Sequence, residues 1–303
     1  MTHRSPDHWS RGQRASGDYY LQVLGSGGPM HAEGRGCAAY AIWVSGRPAI
    51  VVDMGGDTPL ALARAGAVPA DVDVILISHL HADHVSGLAD FLWGETTAER
   101  REGLIIAGPN GLEPDFPSTE DFLNRLIGEG GAFPAMRTLC ADDPFAIRVT
   151  TLDASRSTPQ HVLKHKDVAV TALSVRHGKA PALAYRVDTR RSSIVFAGDQ
   201  SGLNPNFVDF ASDAGVLVLH TMLTERAKDD RLATIVGLPG RFGSLARATR
   251  AKRVVLSHLM GQPGTSAQAS LWSLADVESL LADFRREYDG PVMLASDLAC
   301  VEL

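Results

Sequence analysis

Between residues 79 and 84 the chain reads His79-Leu80-His81-Ala82-Asp83-His84, directly after the apolar run Val74-Ile75-Leu76-Ile77. A run of that length, bounded by polar residues, predicts a buried strand. The polar cluster then lies at the strand's C-terminal end, where α/β folds place their chemistry. His79 and His81 are two apart and point the same way from extended backbone. Asp83 and His84 lead into a predicted helix over residues 86–93. Neutral imidazole and carboxylate together suit Zn²⁺, Mn²⁺ or Fe²⁺. Four such groups in six positions predict a metal site rather than a polar cluster satisfied on its own.

The same placement recurs later in the chain. Val168 to Val175 leads to His177, Ser193 to Ala197 to Asp199, and Arg253 to Leu256 to His258. Gly215 to Leu219 is a further apolar run, ending at His220. Strand ends of one sheet lie side by side, so these residues are expected to converge. The candidate ligands are His79, His81, Asp83, His84, His177, Asp199 and His258. One catalytic ion takes three or four protein ligands and keeps an open position, so this set suits two ions that share one residue.

Other segments supply framework. Tyr19 to Leu24 alternates into the glycine turn Gly25-Ser26-Gly27-Gly28-Pro29, which lacks the ending of a phosphate loop and is expected to bring backbone close to a site. Cys37 to Val44 and Ala49 to Val52 predict a hairpin closed by Ser45-Gly46-Arg47-Pro48, with Asp53 at its end. Residues 94–165 are the least regular stretch, with one helix predicted from Ser118-Thr119. They are expected to form an insertion over the site, with His161 and His165 in a solvated loop. Phe116, Phe122 and Phe133 in this stretch fit either a substrate pocket or a homodimer contact. A last helix is predicted from near Ser273, capped by Asp276, then a strand over Pro291 to Ala295. Residues 1–18 are expected to be a disordered polar tail holding His3 and His8. One α/β domain over 19–303 accounts for the rest.

A formal net charge of −6 argues against a broad nucleic-acid-binding surface. Cys37, Cys140 and Cys300 form no Cys-x-x-Cys pair, which excludes a thiolate zinc knuckle and a disulfide framework. No leader-like or membrane-spanning run is present, so a cytoplasmic location without membrane association is expected.

The HxHxDH run, the Val175-Arg176-His177-Gly178 segment, Gly198-Asp199 and Ser257-His258-Leu259 together resemble the metallo-β-lactamase fold superfamily. Residues 175–186 and the late histidine are similar to its ribonuclease Z-like branch. The resemblance covers about residues 19–303. It implies a four-layer αββα sandwich with a dinuclear site on one edge. By matching position, His79, His81 and His177 would hold one metal, and Asp83, His84 and His258 the other. Asp199 would bridge them, and Asp53 would support the ligands. Asp83, Asp199 and His220 would be the residues closest to the chemistry, and zinc the expected metal.

Departures from the family shape the expected substrate. The interval from His177 to Asp199 leaves no room for the long arm of tRNA-processing members, which, with the acidic charge, argues against tRNA. The stretch at Ile235-Val236-Gly237-Leu238 lacks the histidine that protonates a leaving group in family phosphodiesterases, a contribution of roughly 10²–10⁴-fold. His161 and His165 are candidate replacements. The family's His-Glu pair reads His220-Thr221 here. The expected activity is hydrolysis of small esters, phosphodiesters first, by hydroxide held between the metals. Lactones, carboxylic esters, β-lactams and sulfate esters are alternatives, and a metal-binding interaction module without turnover is the non-enzymatic one.

Overall fold

A computed structural model of the protein describes residues 18–29, 31, 34–97, 102–112, 114–140, 146–165, 167–223, 231–260 and 277–303. Fourteen strands form two sheets of seven. The first contains β1 (Tyr19–Gly25), β2 (Ala39–Val44), β3 (Arg47–Val52), β4 (Val74–Leu76), β5 (Ile105–Pro109) and β6 (Arg148–Leu152). The C-terminal β14 (Cys300–Glu302) completes it, in the order β14-β1-β2-β3-β4-β5-β6. The second contains β7 (Gln160–His165), β8 (Val168–His177), β9 (Ala180–Asp188) and β10 (Ser193–Phe196). It continues with β11 (Val216–His220), β12 (Val254–Ser257) and β13 (Val292–Leu294), in the order β13-β12-β11-β10-β9-β8-β7. Each sheet is antiparallel in one half and parallel in the other, with the parallel halves running from β3 to β6 and from β10 to β13.

Alternation along the strands creates the layers. Leu21, Val23, Ile42, Val52, Val74 and Leu76 point inward and meet Val170, Leu183, Ile194, Phe196 and Val218 from the other sheet. Their alternate neighbours Tyr20, Trp43, Val51 and Ile75 point outward onto α1 (Thr58–Arg64), α3 (Leu88–Glu95) and α4 (Thr119–Ile127). On the second sheet Leu173, Val195, Leu217 and Leu256 pack on α5 (Phe207–Phe210), α7 (Pro239–Thr249) and α8 (Val277–Arg285). A strand buried on both faces has to be apolar at every position, and Val-Ile-Leu in β4 meets that demand with all three residues buried. The result is the αββα sandwich.

Several local expectations change. The helix expected over 86–93 begins later, as α3, and a separate short α2 (Ala82–Val85) precedes it, with Gly87 between the two. A Cβ on Gly87 would come within 2.3 Å of the Gly55 carbonyl, so the chain can pass there only as glycine. The β2–β3 turn is the two residues Ser45 and Gly46, at φ 50° and 80°. That left-handed pair matches strand twist, and Arg47 and Pro48 belong to β3. Residues 94–165 are more regular than their composition suggests: β5 and β6 extend the first sheet, and β7 forms the edge of the second. Ser118 caps α4 as expected, its Oγ accepting from Asp121 N at 3.0 Å.

His161 and His165 lie on β7 and not in a solvated loop, because the segment pairs antiparallel with β8 and buries Leu163. His165 Nε2 is 3.3 Å from Asp73 Oδ2. Asp73 precedes β4 while the HxHxDH run follows it, so His165 sits at the opposite end of the sandwich. The tail residues His3 and His8, and the expected helix cap at Ser273 and Asp276, lie outside the described residues. Among the described residues no helix is long and apolar enough to cross a membrane.

Candidate metal centre

Six strands end on one rim of the sandwich, and each delivers polar side chains there. β3 ends before Asp53, β4 before His79, β8 at His177, β10 before Asp199, β11 at His220 and β12 before His258. Asp53 and His258 have left-handed backbone, at φ 59° and 61°. That conformation costs a non-glycine residue on the order of 1 kcal/mol and turns the chain sharply enough to aim each side chain back across the rim.

The imidazoles form two groups. In the first, His79 Nε2 lies 3.0 Å and His177 Nε2 3.2 Å from His81 Nδ1. In the second, His84 Nε2 is 3.2 Å from His258 Nε2. Asp83 Oδ2 joins it, 3.2 Å from His258 Nε2 and 3.5 Å from His84 Nε2. Asp199 faces both groups. Its Oδ1 is 3.6 Å from His84 Nε2 and 3.5 Å from His258 Nε2, while Oδ2 is 3.6 Å from His177 Nε2.

The outward hydrogen bonds leave inward nitrogens free to hold a cation. Asp53 Oδ1 accepts from Ser78 N at 2.7 Å, and Oδ2 from Ser78 Oγ at 2.8 Å. With its only hydrogen given to Asp53, Ser78 Oγ accepts from His79 Nδ1 at 3.0 Å. His84 Nδ1 donates to Asp53 Oδ2 at 2.8 Å, and His177 Nδ1 to the Ile235 carbonyl at 2.9 Å. Neutral imidazole carries one N–H, so Nε2 of His79 and His177 presents a lone pair to the centre, and Nε2 of His84 would present one where a cation takes the place of its second proton. These nitrogens face His81 Nδ1 and His258 Nε2 at 3.0–3.2 Å, so each group gathers imidazole nitrogens around one point. Two nitrogens each 2.0–2.1 Å from a tetrahedral ion stand about 3.3 Å apart, which is the spacing found here. The donor set fits two divalent ions.

Charge divides the two groups. Burial, reinforced by the neighbouring imidazoles, pushes His79 well below the usual histidine range, and burial also lowers His81. His84 goes the other way. Burial opposes its protonation, but Asp53, Asp199 and Asp83 outweigh burial and raise it to about 10. Asp199 is buried, which alone would raise it, yet the surrounding imidazoles hold it well below the carboxylate range. The rim attracts positive charge most strongly around His84.

His220 is drawn into the second group. Its Nδ1 donates to Asp199 Oδ1 at 2.7 Å, and its Nε2 pairs with Tyr40 OH at 2.8 Å. Burial pushes Tyr40 far above the usual phenol range, so its hydroxyl keeps its proton and donates. Both nitrogens of His220 are therefore engaged, and the ring orients Asp199 instead of offering a lone pair.

Three supports had no signal in the sequence reading. Ser78 and Tyr40 are two, and Asp297 is the third. Its Oδ1 accepts from Ser26 N at 2.9 Å and Ser26 Oγ at 2.7 Å, and its Oδ2 from Gly36 N at 2.7 Å. These bonds tie Ser26 in the glycine turn to Gly36 beyond it, and Gly28 of the turn lies so close to His258 that a Cβ would sit 2.6 Å from Cε1. The Phe116 ring stands 5.7 Å from that of His81, centroid to centroid. Phe122 instead packs on the outer core of the first sheet, and Phe133 remains exposed.

A two-sheet αββα sandwich carrying paired His/Asp groups on one rim defines a metallo-β-lactamase-fold protein. The family model described as the beta-lactamase superfamily domain matches residues 50–259, and the chain belongs to that family, in its ribonuclease Z-like branch. It is similar to the ribonuclease Z of Mycobacterium avium, 30% identical over 222 residues that cover 71% of this chain and 72% of that one. The ribonuclease Z of Agathobacter rectalis is 29% identical over 170 residues, 56% of this chain and 48% of the relative, so the match spans about half of that protein. The crystal structure of human tRNase Z, short form, shares the fold with a TM-score of 0.69 at 20% identity, covering 93% of this chain and 98% of that chain.

These relatives overturn the argument against tRNA drawn from the missing arm and the net charge. A net charge of −6 is an average over the whole chain, whereas recruitment of a polyanion depends on the local field around a cleft. The chain is 30% identical to a ribonuclease Z over 222 residues even with the short interval between His177 and Asp199.

Proposed function

We propose that the protein is a dinuclear metal-dependent phosphodiesterase, with His79, His81 and His177 holding one ion, Asp83, His84 and His258 the other, and Asp199 shared. The observation that carries this reading is Asp199, which turns one carboxylate oxygen toward each group of imidazoles. Divalent ions held by these residues would supply an acidified water and Lewis acidity for phosphodiester hydrolysis. The chain's own residues set the stage. Asp53 and Ser78 fix the planes of His84 and His79, and the Ile235 carbonyl fixes His177. Tyr40 and His220 aim Asp199. No side-chain nucleophile is required, and zinc is the metal we assign.

Small phosphodiesters are the substrates we assign first. The names of the relatives favour a second reading, cleavage of tRNA by the same chemistry. Both are tested by initial rates of zinc- or manganese-loaded protein on bis(p-nitrophenyl) phosphate and on a 3′-extended tRNA, with Asp199→Ala as control. Turnover of either that the variant loses supports phosphodiester hydrolysis. A fully loaded protein inactive on both, yet active on lactones or sulfate esters, overturns it.

A further inference from the structure

His79, His84, His177, Asp199 and His258 are buried, and among the candidate ligands only His81 and Asp83 retain appreciable exposure. A substrate therefore reaches the centre past these two residues. Beside His81 stands Phe116, paired with Leu112. Leu112 N donates to the Phe116 carbonyl at 2.8 Å, and Phe116 N to the Leu112 carbonyl at 3.0 Å. Gly111 is wedged against this pair, since a Cβ there would lie 2.7 Å from Ser118 N and 2.8 Å from Phe116 O. Ser118 then caps α4. The reciprocal bonds, the wedge and the cap fix Phe116 beside the entrance, its ring tilted 50° to His81. Leu112, at 53% exposure, extends the apolar surface outward.

We propose that Phe116 is a specificity residue that stacks on a nucleobase of the substrate, with Leu112 as the outer edge of the same wall. The proposal rests on the phosphodiesterase reading and names the substrate class as nucleoside phosphodiesters. A partly exposed, backbone-anchored aromatic ring next to a candidate ligand suits a flat group attached close to the phosphate. An alkyl group would leave the ring's face wet. Base-on-aromatic stacking tolerates any base because every base presents a π-face, so the wall selects for the presence of a base and not its identity. The same geometry admits a base from a mononucleotide ester or from the end of an RNA.

The test compares thymidine 5′-(p-nitrophenyl phosphate) with methyl p-nitrophenyl phosphate, which share a leaving group and carry a nucleoside or a methyl group on the other ester oxygen, so the Phe116 variants separate the part of any preference that comes from stacking on the base. The metal-loaded wild-type protein is expected to favour the thymidine ester in kcat/KM by on the order of tenfold. Phe116→Ala should erase that ratio, and Phe116→Tyr should keep it, with two ions per chain in all three proteins. An unchanged ratio in Phe116→Ala overturns the wall. A parallel calorimetric titration with thymidine 5′-monophosphate and methyl phosphate reads the same preference without turnover. If neither ester is hydrolysed but the nucleotide binds more tightly through Phe116, the wall stands and the phosphodiesterase reading fails. Equal affinity for the two phosphates in the wild-type protein overturns the wall whatever the rates.

Discussion

The two halves of the metal centre share imidazole chemistry and differ in almost everything around it. The His79–His81–His177 half is held from outside by a serine hydroxyl and a backbone carbonyl, and it opens to solvent at His81. The His84–His258 half is walled by Asp53, Asp83 and Asp199, and both of its imidazoles are fully buried. A carboxylate behind an imidazole makes it a more basic ligand than a neutral acceptor does. The acidic half is therefore expected to bind its ion more tightly, and the open half to exchange its ion and meet substrate. A single carboxylate, Asp199, couples them.

The strongest test of that picture removes the coupling. Asp199→Ala takes a charge from both halves, so stepwise metal titration against a chromophoric chelator should show both ions weakened by more than about 10²-fold, beyond what loss of an outer partner causes. If one ion kept its wild-type affinity, Asp199 would not be shared. Asp53→Ala should separate the halves. It strips His84 of its buried carboxylate partner, and a loss of about 10- to 100-fold is expected at the acidic half. The open half should lose less, because Ser78 remains to accept from His79. Equal losses would refute the division.

A smaller and more local effect is expected at Gly28. An added methyl would need space occupied by His258 Cε1 and Nδ1, which lie 2.6 and 2.7 Å from its position. Gly28→Ala should therefore tilt the His258 ring and weaken the acidic half by on the order of tenfold, leaving the other ion in place. The measurement is the same two-step titration, and loss of the first-half ion instead would show that the glycine turn does not act on His258.

Legibility in the sequence followed side-chain chemistry. Histidines and aspartates placed just beyond apolar runs stand out because few other roles suit them, and the rim gathers all seven candidate ligands. The αββα layers were readable from the same runs together with the family resemblance. What was hidden depended on contacts between ordinary residues. Tyr40 looks like any strand tyrosine, yet its partner His220 is 180 positions away. Asp297 looks like a loop aspartate, yet it pins Ser26 across 271 positions. β14 is three residues long, too short for any period to show. Residues 94–165 seemed irregular because Gly and Pro mask three short strands, of which β5 and β6 find their partners far along the chain. Net charge misled about tRNA because an average carries no position.

The smallest expected effect is the most discriminating. Tyr40 reaches from β2 in the first sheet to His220 on β11 in the second, and its hydroxyl donates to Nε2. That donation keeps the proton of His220 on Nδ1, where it meets Asp199 Oδ1 at 2.7 Å. Tyr40→Phe keeps the ring and its packing against Phe196 while removing only the donor. His220 then loses the bond that selects its tautomer, and the alternative tautomer would turn a lone pair toward a carboxylate. Because Asp199 serves both halves, the weakening should be shared equally, about threefold to tenfold for each ion, at the mild end of outer-partner effects. Asp53→Ala and Gly28→Ala, by contrast, fall mainly on the acidic half. A Tyr40→Phe protein that weakened only the acidic half would mean that His220 acts on His84 or His258 directly, and that Asp199 is aimed by the ions alone.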